Sequence, residues 1–300
     1  MMIDQTYDTH NTYDIGERFE VGEIVNPNII LYEDGTKIRP NKYDAYFPES
    51  IDLKITNKCN HNCQYCHEMS DINGKSFDVE EAIKLLQYAP FPTEIAIGGG
   101  NPAHCIQDIN YMIKKLPNCV INVTLNQYDI WAIPKINANA FGISINNVCE
   151  IDQSLKLCAK QYNVVLHIIN GLHYVHYLLY YAKYFTKILV LGYKTFGRGA
   201  DYLHNNQWQI EGNISEWKKE IVKIIKEIGE EYSDRIIAFD NLAFRQLDLL
   251  FQTDNPANFM GHDGEYSMYI DMVNKQYAKS SVDTKYDINN KTLHQMFKDI

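Results

Sequence analysis

Three cysteines lie within eight residues of one another in the stretch C-N-H-N-C-Q-Y-C-H-E, which begins at Cys59. The other two are Cys63 and Cys66, and His61 and His67 lie beside them in the chain. Thiols in this density bind zinc, form disulfides or hold an iron–sulfur cluster. A zinc knuckle would recruit one of the histidines as its fourth ligand. A [4Fe–4S] cluster held by three thiolates would leave one iron for a ligand other than protein.

The composition is that of a globular chain with a sizeable core, since 45% of its 300 residues are hydrophobic and 22% are charged. The formal net charge of -10 argues against a general nucleic-acid binder, which normally has a basic surface. No apolar run approaches the ~20 residues that a membrane-spanning helix needs. We therefore expect neither membrane insertion nor general nucleic-acid binding.

The compartment decides whether the thiols are oxidised. The N-terminal residues Met1–Gln5 lack the basic and apolar regions of a secretory signal peptide. The chain has seven cysteines, an odd number, which also suits a protein without a disulfide framework. We expect a cytoplasmic protein with reduced thiols, which excludes the disulfide alternative.

Strands and helices alternate along most of the chain. A helix capped by Asp78 should end before Pro90, and the clearest helix should begin at Ser215 and stop at Gly229. Alternation of this length predicts an α/β fold with a parallel sheet. Six units are too few for a full eight-fold barrel. The predicted strands are Ile51–Thr56, Glu94–Ile97, Val120–Asn126, Phe141–Asn146, Val164–Asn170 and Ile188–Lys194.

Polar and apolar side chains alternate in four of these strands. Helices must cover the apolar face, so the polar face should point into an open, ligand-holding barrel. Half-exposed strands of an open sheet are the alternative explanation. The polar set comprises Asp52, Lys54, Thr56, Asn122, Thr124, Asn126, Ser144, Asn146 and His167.

Two motifs in the right order identify a family. The cysteine loop follows the first predicted strand, and the run Gly98-Gly99-Gly100-Asn101-Pro102 follows the second. With the aromatic residue just before the last cysteine, the chain resembles the radical S-adenosylmethionine (radical SAM) superfamily, whose second motif is GGE-P. The resemblance covers roughly residues 50–245. It implies a partial (β/α)6 TIM-type barrel with a C-terminal α+β extension. The residues themselves predict an N-terminal β-hairpin at 18–38, with strands at Arg18–Val21 and Ile29–Tyr32.

The resemblance also implies domain limits: an N-terminal extension at 1–48, the barrel at 49–245 and an extension closing the barrel at 246–300. The last part is similar to a SPASM-type extension, where a strand hairpin normally carries cluster-binding cysteines. No cysteine lies beyond Cys158 here, so no auxiliary cluster is expected. The remaining cysteines are dispersed and suit buried positions.

The family's cofactors are a [4Fe–4S] cluster and SAM. The resemblance implies that Cys59, Cys63 and Cys66 bind three irons and that the methionyl group of SAM chelates the fourth. Tyr65 would lie near the adenine. Asn101 replaces the family's glutamate and would give the methionyl amine a neutral hydrogen bond. Backbone carbonyls of the glycine run, Gly98, Gly99 and Gly100, would also approach that amine.

Four further residues match looser family patterns of SAM binding. A polar residue at a strand end is also a common turn or cap residue, so the structural explanation stays open for each. An electron donor such as flavodoxin or ferredoxin would reduce the cluster. The four residues are Asn126, Ser144, Asn146 and Asn170.

The expected reaction is reductive cleavage of SAM to a 5′-deoxyadenosyl radical, which abstracts a hydrogen atom from the substrate. The architecture favours a peptide or protein substrate. A small polar metabolite or nucleoside is the alternative, and a non-catalytic sensor or scaffold that binds cluster and SAM is another. The residues expected to bind a polar or anionic substrate are Lys54, Asn122, Thr124, Lys194 and Arg198.

Overall fold

The computed structural model describes residues 43–146, 151–249 and 261–300, and the backbone of two short strands near the N-terminus. These strands, β1 (Ile30–Leu31) and β2 (Lys37–Ile38), pair antiparallel. An antiparallel pair therefore lies within the N-terminal segment where a hairpin is predicted. The other predicted strand of that hairpin, Arg18–Val21, lies outside the described residues.

Seven consecutive strands form a parallel sheet in chain order. Each pairs with its sequence neighbours, as βαβ units do. The sequence predicts six of them. The seventh, β9, is four residues long and was missed because so short an apolar run has no clear period. The strands are β3 (Ser50–Thr56), β4 (Thr93–Gly99), β5 (Cys119–Asn126), β6 (Ala140–Ser144), β7 (Val164–Ile169), β8 (Lys187–Leu191) and β9 (Ile236–Phe239).

Eight α-helices are described. They are α1 (Val79–Leu86), α2 (Ile106–Lys115), α3 (Gln153–Gln161), α4 (Tyr177–Ala182), α5 (Arg198–Asn205), α6 (Gln207–Glu231), α7 (Asn241–Gln246) and α8 (Leu293–Lys298). Two 3₁₀ segments, Pro102–Cys105 and Gln127–Lys135, follow β4 and β5.

Local signals explain α1, whereas α5 and α6 depart from the prediction. The Asp78 side chain caps α1 by accepting the backbone N–H groups of Glu80 and Glu81, as predicted. Helix α6 begins well before the predicted Ser215, because Ile210 is already buried in the core. The sequence predicts a glycine-rich loop at 192–199, and α5 begins at the end of this segment. Tertiary packing against the cysteine loop, described below, holds it as a helix.

The C-terminal residues extend the same sheet. Strand β10 (Ser267–Asp271) pairs parallel with β3, and β11 (Gln276–Ala278) and β12 (Tyr286–Asp287) follow antiparallel. The sheet therefore has ten strands, with β12 at one end and β9 at the other. The expected hairpin is present as β10 and β11.

One face of the parallel sheet is buried under the helices. Its side chains are almost all branched and apolar, including Ile51, Leu53, Ile95, Ile121 and Leu166, and each is at most 1% exposed. The other face is more accessible to solvent. The fold is thus α/β, a parallel sheet flanked by helices, which is compatible with a partial barrel. In the part of the chain that is described, no helix is long and apolar enough to cross a membrane.

Candidate functional site

The cysteine loop leaves the carboxyl end of β3, where parallel α/β proteins commonly bind ligands. Cys59, Cys63 and Cys66 are free and partly exposed. Burial raises the pKa of the Cys63 thiol, and the negative charges of the Cys66 and Cys59 thiolates raise this pKa further. The three thiols of the loop are therefore near enough for the charge of one to act on another.

Hydrogen-bond donors surround the sulfurs. The backbone N–H groups of His61 and Asn62 point at the Cys59 sulfur and oppose the rise that burial causes in the pKa of this thiol. The Asn146 amide donates to the Cys63 sulfur at 3.3 Å. Donors of this kind stabilise negative charge on sulfur and tune iron–sulfur centres. The loop is therefore suited to hold thiolates.

Tyr65 connects the cysteine loop to the residue that follows β6. Its hydroxyl donates to the Asn146 carbonyl oxygen at 2.8 Å, and its ring meets Tyr202 edge-on at 6.0 Å. Burial raises the pKa of the Tyr65 hydroxyl, so this group stays neutral and acts as a donor. The structure thus brings two predicted SAM-binding residues, Tyr65 and Asn146, next to Cys63.

Arg198 fastens the cysteine loop from the opposite side. Its backbone N–H donates to the Cys66 carbonyl at 3.1 Å. Its guanidinium donates to the carbonyl oxygens of Cys63 and Ser70, each at 3.0 Å. Gly197 precedes it with a φ of +57°, and a Cβ there would lie 2.3 Å from the His67 carbonyl oxygen. This approach of α5 to the loop requires a glycine.

The glycine run after β4 packs against the start of the cysteine loop. A Cβ on Gly100 would lie 2.4 Å from the Lys58 carbonyl oxygen, and one on Gly99, whose φ is +114°, would lie 2.5 Å from the Thr56 carbonyl oxygen. Gly98 differs, because a Cβ there would meet nothing within 4 Å. Two glycines therefore serve the close approach of β4 to β3, while Gly98 faces open space.

Asn101 is 3% exposed and lies between the glycine run and the cysteine loop. Its carbonyl oxygen accepts the backbone N–H of Ala103 at 3.0 Å, and its amide donates to Asn60 at 2.9 Å. Both polar ends of the side chain thus bind protein groups. Its predicted contact with a methionyl amine would need a change in this arrangement.

Lys54 lies in a buried ion cluster. Its ammonium contacts Glu68 of the cysteine loop at 2.5 Å and Asp271 of β10 at 3.0 Å. Tyr269 donates to the other Glu68 oxygen at 3.2 Å. The Lys54 side chain is only 5% exposed, so it joins the cysteine loop to β3 and β10 and does not face a ligand space.

Lys194, predicted to bind substrate, also has protein partners. Its ammonium donates to Ser281 at 2.8 Å and to the His67 ring at 3.2 Å. Burial lowers the pKa of His67, and the adjacent Lys194 charge lowers it further. The His67 ring is therefore neutral and accepts the hydrogen bond. Lys194 thus connects the loop after β8, the cysteine loop and the C-terminal segment.

The four looser candidates are placed differently from one another. The Asn126 side chain accepts the Tyr128 backbone N–H at 3.1 Å, as a helix cap does. Ser144 pairs with Asn126 in the strand register. Asn170 is fully buried and binds Gln246 and the Tyr193 backbone, away from the cysteine loop. Only Asn146 reaches the cysteine sulfurs.

We call the accessible side of the sheet the inner face. Its polar side chains include Asp52, Asn122, Thr124 and His167. The Asp52 side chain is exposed and the other three are half-buried. Burial lowers the pKa of His167 to about 4, so its ring is neutral at pH 7. None of these four side chains has a hydrogen-bond partner among the described residues.

A contact between the two ends of the parallel sheet shows that the sheet is curved. Asn241, at the start of α7 after β9, donates to Asp263 at 2.6 Å, and Asp263 lies four residues before β10, the strand beside β3. In a flat sheet, strands spaced at about 4.8 Å would place β9 about 34 Å from β10. Four extended residues span at most about 14 Å, which is too short for that separation. The sheet therefore curves so that its ends approach each other around a concave space.

Some residues of the site have no signal in the sequence. The His61 ring forms a hydrogen bond with Asp129, whose side chain is 6% exposed and lies in the 3₁₀ segment after β5. Glu68 and Asp271 both contact Lys54, and Asp271 does so because β10 lies beside β3. Asp129, Glu68 and Asp271 all lie in stretches whose local pattern does not distinguish them from surface carboxylates.

The donor set can be compared with the groups it would hold. Within the described ranges, no three His, Cys, Asp or Glu side chains form a cluster that could hold a metal ion. A [4Fe–4S] cluster has a different requirement, one thiolate on each of three irons. Three gathered thiols with N–H donors to Cys59 and Cys63 fit that requirement. Gly98, which faces open space, lies next to the last residue of the neighbouring strand β4.

Comparisons with known proteins found no family model that matches this chain and no matching curated protein. The geometry of the cysteine loop and of the inner face therefore carries the functional conclusions.

Proposed function

We propose that this chain is a radical SAM enzyme built on a partial (β/α)6 barrel. The observation that supports this most is the cysteine loop: three thiols at the carboxyl end of β3, with N–H donors aimed at two of the sulfurs. The glycine run ends β4, the neighbouring parallel strand. Cysteines and glycines thus adjoin at one edge of a parallel sheet, where such folds place their ligands.

Each group of residues would have its own role in the reaction. Cys59, Cys63 and Cys66 would hold three irons of a [4Fe–4S] cluster, and Gly98 would leave room for SAM beside it. When reduced, such a cluster supplies the electron that cleaves SAM into methionine and a 5′-deoxyadenosyl radical able to abstract a hydrogen atom. Asn146 would bind the Cys63 sulfur, and Arg198 would keep the loop in place.

The concave space on the inner face would hold the substrate and limit its contact with water. A peptide or protein substrate remains our first proposal, and a small polar metabolite the second. A reductant such as flavodoxin or ferredoxin would be the electron donor. The acidic formal charge of -10 does not favour general nucleic-acid binding.

The test begins with anaerobic reconstitution of the full chain. We expect about four irons and four sulfides per chain, and 5′-deoxyadenosine once SAM and dithionite are added. Cys59→Ala, Cys63→Ala and Cys66→Ala should each abolish both. Cys158→Ala is the matched control: this buried thiol of α3 lies outside the loop, and its loss should leave iron content unchanged.

Three outcomes would contradict the proposal in different ways. Stoichiometric zinc without iron–sulfur absorbance would make the loop a zinc site. Bound SAM that is never cleaved by the reduced protein would indicate a sensor or scaffold. Iron near eight per chain would show an auxiliary cluster, against the prediction of one cluster; Cys149, a further candidate ligand, lies outside the described residues.

A further inference from the structure

The cations expected to bind substrate all have protein partners. Lys54 is paired with Glu68 and Asp271, and Lys194 donates to Ser281 and His67. The Arg198 guanidinium donates to two backbone carbonyl oxygens of the cysteine loop. An anionic substrate would therefore have to displace a charged hydrogen bond that stabilises the fold.

One charged side chain of the inner face is differently placed. Asp52 lies at the middle of β3, is exposed, and forms no hydrogen bond with any residue that the structure describes. Crowding by the surrounding protein raises the pKa of its carboxyl even though solvent reaches it. Both properties are expected of a carboxylate on the wall of a concave cavity, where water is present but scarce.

Three charged groups face Asp52. Lys194 has the largest effect of the three and lowers the pKa of the Asp52 carboxyl, whereas Asp240 and Asp263 raise it. Asp240 accepts the backbone N–H groups of Gly192 and Ala243, and Asp263 pairs with Arg245 at 3.0 Å. Among these three carboxylates, only Asp52 has no hydrogen-bond or ion-pair partner within the described ranges.

Small residues alternate with polar ones along the rows of the inner face. Asp52 pairs in register with Ala96, which pairs with Asn122. In the next row Thr124 pairs with Gly142, where a Cβ would lie 2.4 Å from the His167 ring. Asp52, Asn122 and Thr124 therefore lie on one face of the sheet, with only the small side chain of Ala96 between Asp52 and Asn122, and with the His167 ring over Gly142 beside Thr124.

We propose that Asp52 binds a positively charged group of the substrate, a primary ammonium or a guanidinium, with Asn122 and Thr124 as neutral hydrogen-bonding partners. This inference rests on the proposed function, because it takes the bound cation to be part of the enzyme's substrate. A cation would supply the charge-assisted hydrogen bond that Asp52 lacks and would relieve its repulsion by Asp240 and Asp263. An anion at the same place would meet those three carboxylates, and the one cation that faces them, Lys194, already donates to Ser281 and His67.

Cationic groups from two sources share this chemistry, a lysine or arginine side chain of a peptide and the amine of a small metabolite. The probes are therefore butylammonium, butylguanidinium and the blocked tripeptide acetyl-Gly-Lys-Gly-amide, with butyrate and butanol as anionic and neutral analogues. Binding to the full chain is measured by ligand-observed NMR, with dissociation constants expected at about 1 mM or weaker for the fragments. Tighter binding of the tripeptide than of butylammonium would indicate that the site binds a side chain of a peptide. Tighter binding of butylammonium would indicate that it binds the amine of a small metabolite.

The variants isolate the charge of Asp52. Asp52→Asn should weaken cation binding about tenfold, and Asp52→Glu should retain the preference for cations over butyrate. Asp44→Asn, at an exposed carboxylate before β3, is the matched control and should bind as the wild type does. Equal binding by Asp52→Asn and wild type, or butyrate binding as tightly as butylammonium, would overturn the inference.

The two proposals fail separately. Iron content and 5′-deoxyadenosine formation are measured on the wild-type protein, and cation binding on the same preparation. Normal cleavage of SAM without Asp52-dependent cation binding would refute this inference and leave the proposed function standing. Asp52-dependent cation binding by a protein that holds zinc and cleaves no SAM would refute the proposed function and leave a cation site at Asp52.

Discussion

The side-chain amide nitrogen of Asn146 lies 3.3 Å from the sulfur of Cys63. The two residues are 83 positions apart in the chain, and the contact exists because β6 ends beside the cysteine loop. The oxygen of the same amide accepts the Tyr65 hydroxyl, which orients the nitrogen toward the sulfur. This relationship links a predicted cluster ligand to a predicted SAM contact.

Replacing Asn146 should change the redox behaviour of a bound cluster. An N–H donor stabilises negative charge on sulfur, so Asn146→Ala should lower the reduction potential. A hydrogen bond worth about 1 kcal/mol corresponds to about 40 mV for a one-electron couple. A redox titration followed by electron paramagnetic resonance measures the shift. The control is Asn205→Ala, because the Asn205 side chain donates to Asp201 within α5. This substitution should leave the reduction potential unchanged. If Asn146→Ala also leaves the potential unchanged, the prediction is refuted.

Arg198→Ala should loosen the cysteine loop. The substitution leaves the carbonyl oxygens of Cys63 and Ser70 without their charged donor, so we expect a loss of about 2–3 kcal/mol in the free energy of unfolding. Iron retention after reconstitution should fall with it. Arg198→Lys should rescue little, because an ammonium lacks the fork of donors that reaches both oxygens. Urea unfolding and iron analysis measure the two effects.

Arg245 provides the control for Arg198. Its pair with Asp263 is half exposed, so Arg245→Ala should change the free energy of unfolding by at most about 1 kcal/mol. Equal effects of the Arg198 and Arg245 substitutions would show that the loop contacts contribute no more than a surface ion pair.

The buried cluster around Lys54 should be sensitive to removal of its cation. Lys54→Met leaves Glu68 and Asp271 buried without their cation, and should reduce the free energy of unfolding by about 3–5 kcal/mol. The exposed pair of Lys218 with Asp248 is the comparison, and Lys218→Met should cost about 1 kcal/mol or less. A small loss in Lys54→Met, measured by urea unfolding, would mean that Lys54 is available to a ligand after all.

Stability should depend on pH through His173, which is fully buried and packs near Trp217. Burial lowers the pKa of His173 to about 4, and hydrogen bonds with backbone groups only partly oppose this. Because the folded-state value lies below the ordinary 6.5, the neutral ring favours folding above pH 6.5. That contribution, about 3 kcal/mol at most, is lost as the pH falls from 6.5 toward 4.

The measurement is urea unfolding at pH 7 and at pH 5. His173→Asn keeps an acceptor for the Ile169 backbone N–H but removes the titrating ring. It should remove about half of the pH dependence, because His167, whose pKa burial also lowers to about 4, still titrates. His176→Gln, at an exposed position on the segment before α4, should preserve it. A His173→Asn protein that still loses stability as steeply as the wild type would assign the effect to other groups.

The alternation of strands and helices was predictable because it depends on local periodicity. The strands β3 to β8 fall where polar and apolar residues alternate or where apolar runs are bounded by turns, and α1 begins at its predicted cap. The seventh strand and α5 were not predictable in this way. Ile236–Phe239 has four residues, and α5 begins inside a glycine-rich segment that the cysteine loop holds in place.

The sequence by itself determined the three thiols at one strand end, the glycines at the next, and an α/β fold with a parallel sheet, because these depend on residues near one another in the chain. Only the tertiary structure decided which charges are free. Lys54 meets Asp271 across more than two hundred residues, and Arg198 meets Cys63 across 135. Asp52, on the same strand as Lys54, keeps an exposed carboxylate. Pairing of buried charges depends on which strands adjoin, and a local pattern does not contain that information.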